Sequence, residues 1–305
     1  MNLGALKQWC YYFPLRWLAG WAPLSFIAWL ARVAARLEYL TVRPATRRLV
    51  RDNLAFVLKL PSDSPRVRAI AHEVIWHYVL NIVEYACAHR LRQRVGESFL
   101  EVVGFEHAEN PLKEGKGVVL VGGHLATFEL HPTAFGWRGC NTALIEPYDT
   151  RPENAPRGVA GVIYRFRRGH QEQHLGYKTV YTGGGFHQAV KFLQKGGVVG
   201  IATDFPPPAP ETTCPFLGAE RPIPLGPAYL ALKTGAAMVI GQLERFEFGQ
   251  NRLTLSPVEC SGTGDLRADV ARLSRELALA YEQYILQRPE QWAWHMWAQT
   301  KPSGQ

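Results

Sequence analysis

The chain has 305 residues, 47% of them apolar, and a formal net charge of +8. That length allows one or two domains with a sizeable core, and the charge favours an acidic partner such as a phospholipid surface, a nucleic acid or a phosphorylated substrate. The five cysteines, at positions 10, 87, 140, 214 and 260, make no C-x-x-C pair and no zinc spacing, so they read as free thiols in a reducing compartment.

Residues 9–31 are apolar and aromatic, interrupted by Pro14, Arg16 and Pro23. The clean run Trp17 to Ala31 has 15 residues, short of the roughly 20 that span a bilayer. No small-residue cleavage site follows, so a cleaved signal is not expected. Arg16 and Arg32 flank the run, and Arg36, Arg43, Arg47, Arg48 and Arg51 lie beyond it. The pattern predicts a helix lying in, or dipping into, a membrane leaflet and held by cations against anionic lipid. Val67, Ile70, Val74, Ile75, Tyr78, Ile82 and Tyr85 then recur at helical steps, predicting a second helix over 66–90 with its start signal in Pro61–Pro65. Residues 1–95 are expected to form a helical region that packs on the rest.

From Phe99 strands alternate with helices. Strands are expected at 99–105, 117–123, 140–148, 178–183, 197–204, 236–245 and 252–258. Helices are expected at 124–136, 158–168, 186–194, 227–234 and 266–288, with a Pro-rich loop over 206–226. This alternation predicts an α/β domain over 96–305, a mixed central sheet flanked by helices.

The chemistry concentrates in GKGVVLVGGHLATFE, residues 115–129. A buried strand ends at Gly122 and Gly123, and His124 follows at once. Glu129 comes five residues later. If His124 sits in the turn and Glu129 on the helix behind it, the carboxylate holds the imidazole in one tautomer and makes a general base. Backbone N–H groups from Gly123 to Leu125 are the candidate donors to an oxyanion. Asp204 ends another strand, where α/β sites gather. Arg165, Arg167 and Arg168 read as an anion clamp, against a solvated basic helix end. Gly218 either lets substrate approach closely or serves plain turn geometry. His170 and His174 with Glu172 read as solvent-facing rather than as a metal site, and no metal is expected. Cys140 has no base beside it. His295, among Trp292, Trp294 and Trp297, reads as a structural or interfacial cluster.

Seven blocks in order resemble one family, the bacterial lipid A late acyltransferases of the lysophospholipid acyltransferase superfamily. They are Arg51-Asp52-Asn53-Leu54, Glu84 late in the second helix, GGHLATFEL, RFRRG at 165–169, GGVVGIATD, CPFLGAERPIPLGPAYLALKTGAAMV and PEQWAW at 289–294. The common G-N-W before the Glu is A-T-F here, and Trp-His-Met after the last block is closer to the phosphatidylinositol mannoside acyltransferases. The resemblance implies a membrane-associated O-acyltransferase at the cytoplasmic face of a bacterial inner membrane, monotopic or with a single N-terminal membrane helix. The acyl donor would be a thioester of acyl carrier protein or CoA and the acceptor a glycolipid hydroxyl. His124 would be the base and Glu129 its orienting partner, with no cofactor and no enzyme nucleophile. The alternatives are another acceptor, such as a phosphatidylinositol mannoside or lysophospholipid, a thioester or lipid hydrolase, and a non-catalytic basic membrane-binding protein. Positive charge is the sole feature favouring nucleic acid, and no nucleic-acid partner is expected.

Overall fold

The structure, a computed structural model, describes residues 6, 9–18, 20–147, 152–155, 157–182, 185–204 and 212–294. A short helical stretch at Tyr11–Leu18 leads to α1 (Leu24–Thr41), α2 (Pro44–Leu58) and the 31-residue α3 (Pro65–Val95). Pro23 stands just before α1 and Pro44 is the first residue of α2, since proline suits the start of a helix, where its missing N–H costs nothing. The Ser64 side chain accepts the Val67 N–H at the start of α3, and the helix runs five residues beyond the expected end, to Val95, with Gly96 as its C-cap. On α1, Ile27, Ala31 and Ala35 face inward, while Phe26, Trp29, Leu37 and Leu40 stay exposed, as do Trp17 and Trp21 before it. Among the described residues no helix is long and apolar enough to cross a membrane.

The remaining elements in chain order are β1 (Leu100–Val103), α4 (Glu106–Lys113), β2 (Val118–Gly122), α5 (Leu130–Gly136), β3 (Thr142–Glu146), α6 (Val159–His170), β4 (Tyr177–Tyr181), α7 (Gly185–Gln194) and β5 (Val198–Ala202). Then come β6 (Thr213–Phe216), β7 (Ala219–Pro222), α8 (Gly226–Thr234), β8 (Ala237–Glu247), β9 (Gln250–Val258) and α9 (Leu266–Gln287). Seven strands form one sheet in the order β1-β9-β8-β2-β5-β3-β4. Only β8 and β9 pair antiparallel within it, so the sheet is mixed and helices flank it, as expected. Every residue of β2 is buried, as a central parallel strand covered on both faces requires. Val79, Val83, Ala86 and Leu91 of α3 share one buried cluster with Val118, Leu120, Val239 and Leu243 of the sheet. The helical N-terminal region and the sheet are thus sealed together by common apolar contacts.

Two expectations are corrected. Helix α5 starts at Leu130, not at 124. Ala126 adopts a left-handed φ of 48° and its N–H goes to the Gln291 carbonyl (3.0 Å), so residues 123–129 form a turn. The Pro-rich segment carries a hairpin, β6–β7, at Thr213–Pro222. Its two-residue turn, Leu217 (φ 51°) and Gly218 (φ 81°), has both central residues left-handed, as tight hairpins favour.

Candidate active site

Strands β2 and β5 are parallel neighbours, with Gly122 opposite Ala202. His124 and Asp204 each lie two residues past that matched pair, so both emerge at the same end of the sheet. They meet there. His124 Nδ1 lies 2.9 Å from Asp204 Oδ1, and the His124 backbone N–H donates to Oδ2 at 2.7 Å. The buried Trp292 indole donates to the same Oδ2, also at 2.7 Å. A carboxylate only accepts, so Nδ1 carries the proton and the neutral ring keeps its lone pair on Nε2. The imidazole side chain is 18% exposed, while that of Asp204 is fully buried. The ring also leans on Phe128, 4.6 Å between centroids.

Burial works against a charged imidazole, but the Asp204 charge, its hydrogen bond and the Glu129 charge together raise the His124 pKa above its ordinary value. The Asp204 carboxyl is held below its usual range: burial opposes this, yet the His124 charge and the three N–H donors outweigh it. Gly123 makes the approach possible. A Cβ there would run into the Tyr281 ring and come within 2.7 Å of Asp204 Cγ.

The orienting carboxylate on Nδ1 is therefore that of Asp204, not Glu129, which corrects the five-residue pairing. Glu129 stands just before α5, and its ion pair runs to Arg167 Nη2 at 3.3 Å. It acts on the imidazole through its charge, and burial pushes its own carboxyl pKa up against the pull of Arg167. The three-arginine clamp is also corrected. Arg168 binds Glu146 with both terminal nitrogens (2.9 and 2.6 Å) and donates to Thr179 and Tyr164. Arg165 is exposed on α6, roughly 200° around the helix from Arg167. Arg167 alone of the three joins the turn, and its side chain remains 43% exposed.

One of the proposed backbone donors is already engaged. The His124 N–H serves Asp204. Burial and the Asp204 charge raise the pKa of the Tyr281 phenol, and the Leu125 backbone works against them. Gly218 belongs to the hairpin turn, where a Cβ would meet the Phe56 ring at 3.4 Å, so turn geometry explains it. His170 is buried, not solvent-facing, with Nε2 2.9 Å from the Tyr85 carbonyl, and it packs among Tyr85, Phe166 and His89. Among the described residues no group of three or more His, Cys, Asp or Glu side chains is placed to hold a metal ion. His295 lies outside the described residues.

Sequence reasoning missed the underside of the turn. Thr127 Oγ1 donates to Glu84 (2.9 Å) and accepts from Arg245 Nη2 (2.6 Å), and Arg245 Nε reaches Glu84 at 3.0 Å. Gly249 N–H and Asn251 complete the shell of Glu84. Arg245 Nη1 lies 2.9 Å from His77 Nδ1. Burial and the neighbouring Arg245 charge depress the His77 pKa to about 3, which leaves it neutral and able to accept that proton. Gln291 clasps the Arg245 backbone with both ends of its amide, and its carbonyl takes the Ala126 N–H. The sequence signal was a charge, Arg245, that strand alternation puts on the same face as Gly241 and Leu243.

The sequence profile of bacterial lipid A biosynthesis acyltransferases matches residues 3–297. The lipid A biosynthesis lauroyltransferase of Escherichia coli (strain K12) is 27% identical over 208 residues, 67% of this chain and 63% of that enzyme. The match thus spans a little under two thirds of the relative's length. With the profile covering nearly the whole sequence, the chain belongs to the bacterial lipid A biosynthesis acyltransferase family.

Proposed function

We propose that this protein is a membrane-associated O-acyltransferase that moves a fatty acyl chain from a thioester, of acyl carrier protein or CoA, to a hydroxyl of a glycolipid such as a lipid A precursor. The single observation that carries the chemistry is the partly exposed imidazole of His124, held at Nδ1 by the buried carboxylate of Asp204. Family membership and the lauroyltransferase relative support the reaction class.

His124 Nε2 takes the proton of the acceptor hydroxyl as its oxygen bonds to the thioester carbonyl carbon. The tetrahedral species then collapses, the carbon–sulfur bond breaks, and the proton passes from Nε2 to the departing thiolate. Asp204 stabilises the imidazolium in between, the role a buried carboxylate plays behind a catalytic histidine. A thioester is already activated, so the transfer requires no enzyme nucleophile. Arg167, braced by Glu129, supplies positive charge beside the turn for the developing oxyanion or for an anionic substrate group. The exposed Trp17, Trp21, Phe26, Trp29, Leu37 and Leu40, with Arg32, Arg36, Arg43 and Arg47 nearby, favour docking in the headgroup layer of an anionic leaflet. The cytoplasmic face of a bacterial inner membrane would provide both such a leaflet and the thioester donor.

The test is transfer itself. Protein in detergent or vesicles is given an acyl thioester and a glycolipid acceptor, and products are weighed by mass spectrometry. Acceptor gaining one acyl group per thiol released is expected, and His124→Ala should lower the rate by up to about 10⁴-fold with unchanged circular dichroism. Free fatty acid in place of acylated lipid would mean hydrolysis, and undiminished turnover in the variant would remove His124 from the chemistry.

A further inference from the structure

Three hydrogen bonds reach the Asp204 carboxylate among the described residues, and two of them come from His124 itself. The third, from the Trp292 indole, is the one that ties the carboxylate to the rest of the protein. Trp292 is 1% exposed, and its ring packs edge-on against Trp294, whose indole N–H donates to the Pro289 carbonyl. Its backbone bridges Leu125, and Gln291 before it accepts the Ala126 N–H. The segment thus grips the turn by its backbone and the carboxylate by its side chain.

We infer that Trp292 is a positioning residue for the reaction, its indole N–H fixing the rotation of the Asp204 carboxylate so that Oδ1 faces His124 Nδ1. The role as a kinetic device rests on His124 acting as the base. The geometry of the pair does not. An N–H donor on Oδ2 also draws charge away from the carboxylate and so tempers its pull on the imidazole proton. Losing that donor makes Asp204 a stronger partner for imidazolium, and less of the free base remains at neutral pH. Among the described residues, the other charged or titratable groups around the pair are Glu129 and Arg167 in their ion pair, His131 beneath the turn and Tyr281 on α9.

Two exchanges separate this from plain packing. Trp292→Phe removes the donor and part of the ring, and replacement of Trp292 by benzothienylalanine keeps the bicyclic shape while sulfur takes the place of N–H. The His124 imidazole is titrated by nitrogen NMR on histidine-labelled full-length protein, a readout that needs no substrate. Its pKa is expected to rise by about half a unit to one unit in both variants. In transfer assays kcat should fall about three- to tenfold on the acid limb with KM unchanged, and recover toward the alkaline side. In an Asp204→Asn background the exchange should change neither quantity. An unshifted imidazole titration in the folded benzothienylalanine protein overturns the inference, as does a loss equal at all pH values. A shifted titration in a protein that transfers no acyl group leaves the positioning intact and overturns the proposed function instead.

Discussion

The turn 123–129 is gripped by two polar clusters of opposite character. On its outer side His124, Asp204 and Trp292 form a chain of hydrogen bonds that ends in a partly exposed imidazole. On its inner side Glu84, Arg245 and Thr127 form a network with 0–1% exposure of the charged side chains. Both place a carboxylate against a nitrogen donor, yet they do different work. The inner pair is surrounded by enough donors and acceptors that its charges are matched in place, which is the condition for tolerating buried ions. The outer pair keeps one member open, so the imidazole can take up a proton and release it again. A titratable centre is thus mounted on a fully buried ion pair, and the loop between them needs little regular structure of its own.

Replacing one charge on each side sharpens that contrast. Asp204→Asn should have the larger effect on turnover, lowering it about 10³-fold while the protein stays folded, since the ring loses its orienting acceptor. The sign of the pH shift follows from the raised His124 pKa. Without the Asp204 charge the imidazole releases its proton more readily, so the acid limb of kcat/KM should move to lower pH as the plateau falls. An acid limb that stays in place would detach Asp204 from the titration. Stability should respond too. The depressed Asp204 pKa contributes stability above the ordinary carboxyl range, lost as pH falls through the folded value. The variant should therefore lose less stability than the parent over that acid range.

Glu84→Ala acts on the other cluster and should show up as stability. Leaving Arg245 buried without its carboxylate costs about 3–5 kcal/mol, read as a lower urea midpoint. A midpoint within error of the parent would mean the inner network is not what holds the turn. The smallest effect belongs to Arg165→Ala. Its side chain is exposed on the far side of α6 from Arg167, so stability should change by no more than about 0.5 kcal/mol and turnover hardly at all. A large loss of activity there would restore the broader anion clamp.

Much of this was legible in the chain. The strands VVLVG and VVGIA are apolar throughout, and each is followed within two residues by a polar side chain, His124 or Asp204. What the chain did not display was that these strands are parallel neighbours in register, so the partner 80 residues away was passed over for the one five residues away. Local spacing is visible in one dimension, whereas strand order is a property of the assembled sheet. The same limit hid Arg245, whose partner Glu84 lies 161 residues away. It also hid the burial of His170, which depends on how Tyr85 of α3 meets α6. The hairpin at 213–222 was masked by prolines, three of which sit in it or just beside it. Proline tolerates short edge strands of this kind.

The pairing of Gly122 with Ala202 reaches beyond geometry. A slip of one residue between those two strands would carry the carboxylate about 3.3 Å along the sheet and swing its side chain to the opposite face. The carboxylate therefore meets the imidazole only when β2 and β5 have paired in this register. On the proposed mechanism, a nascent or partly assembled molecule would transfer acyl groups only slowly until the sheet is complete.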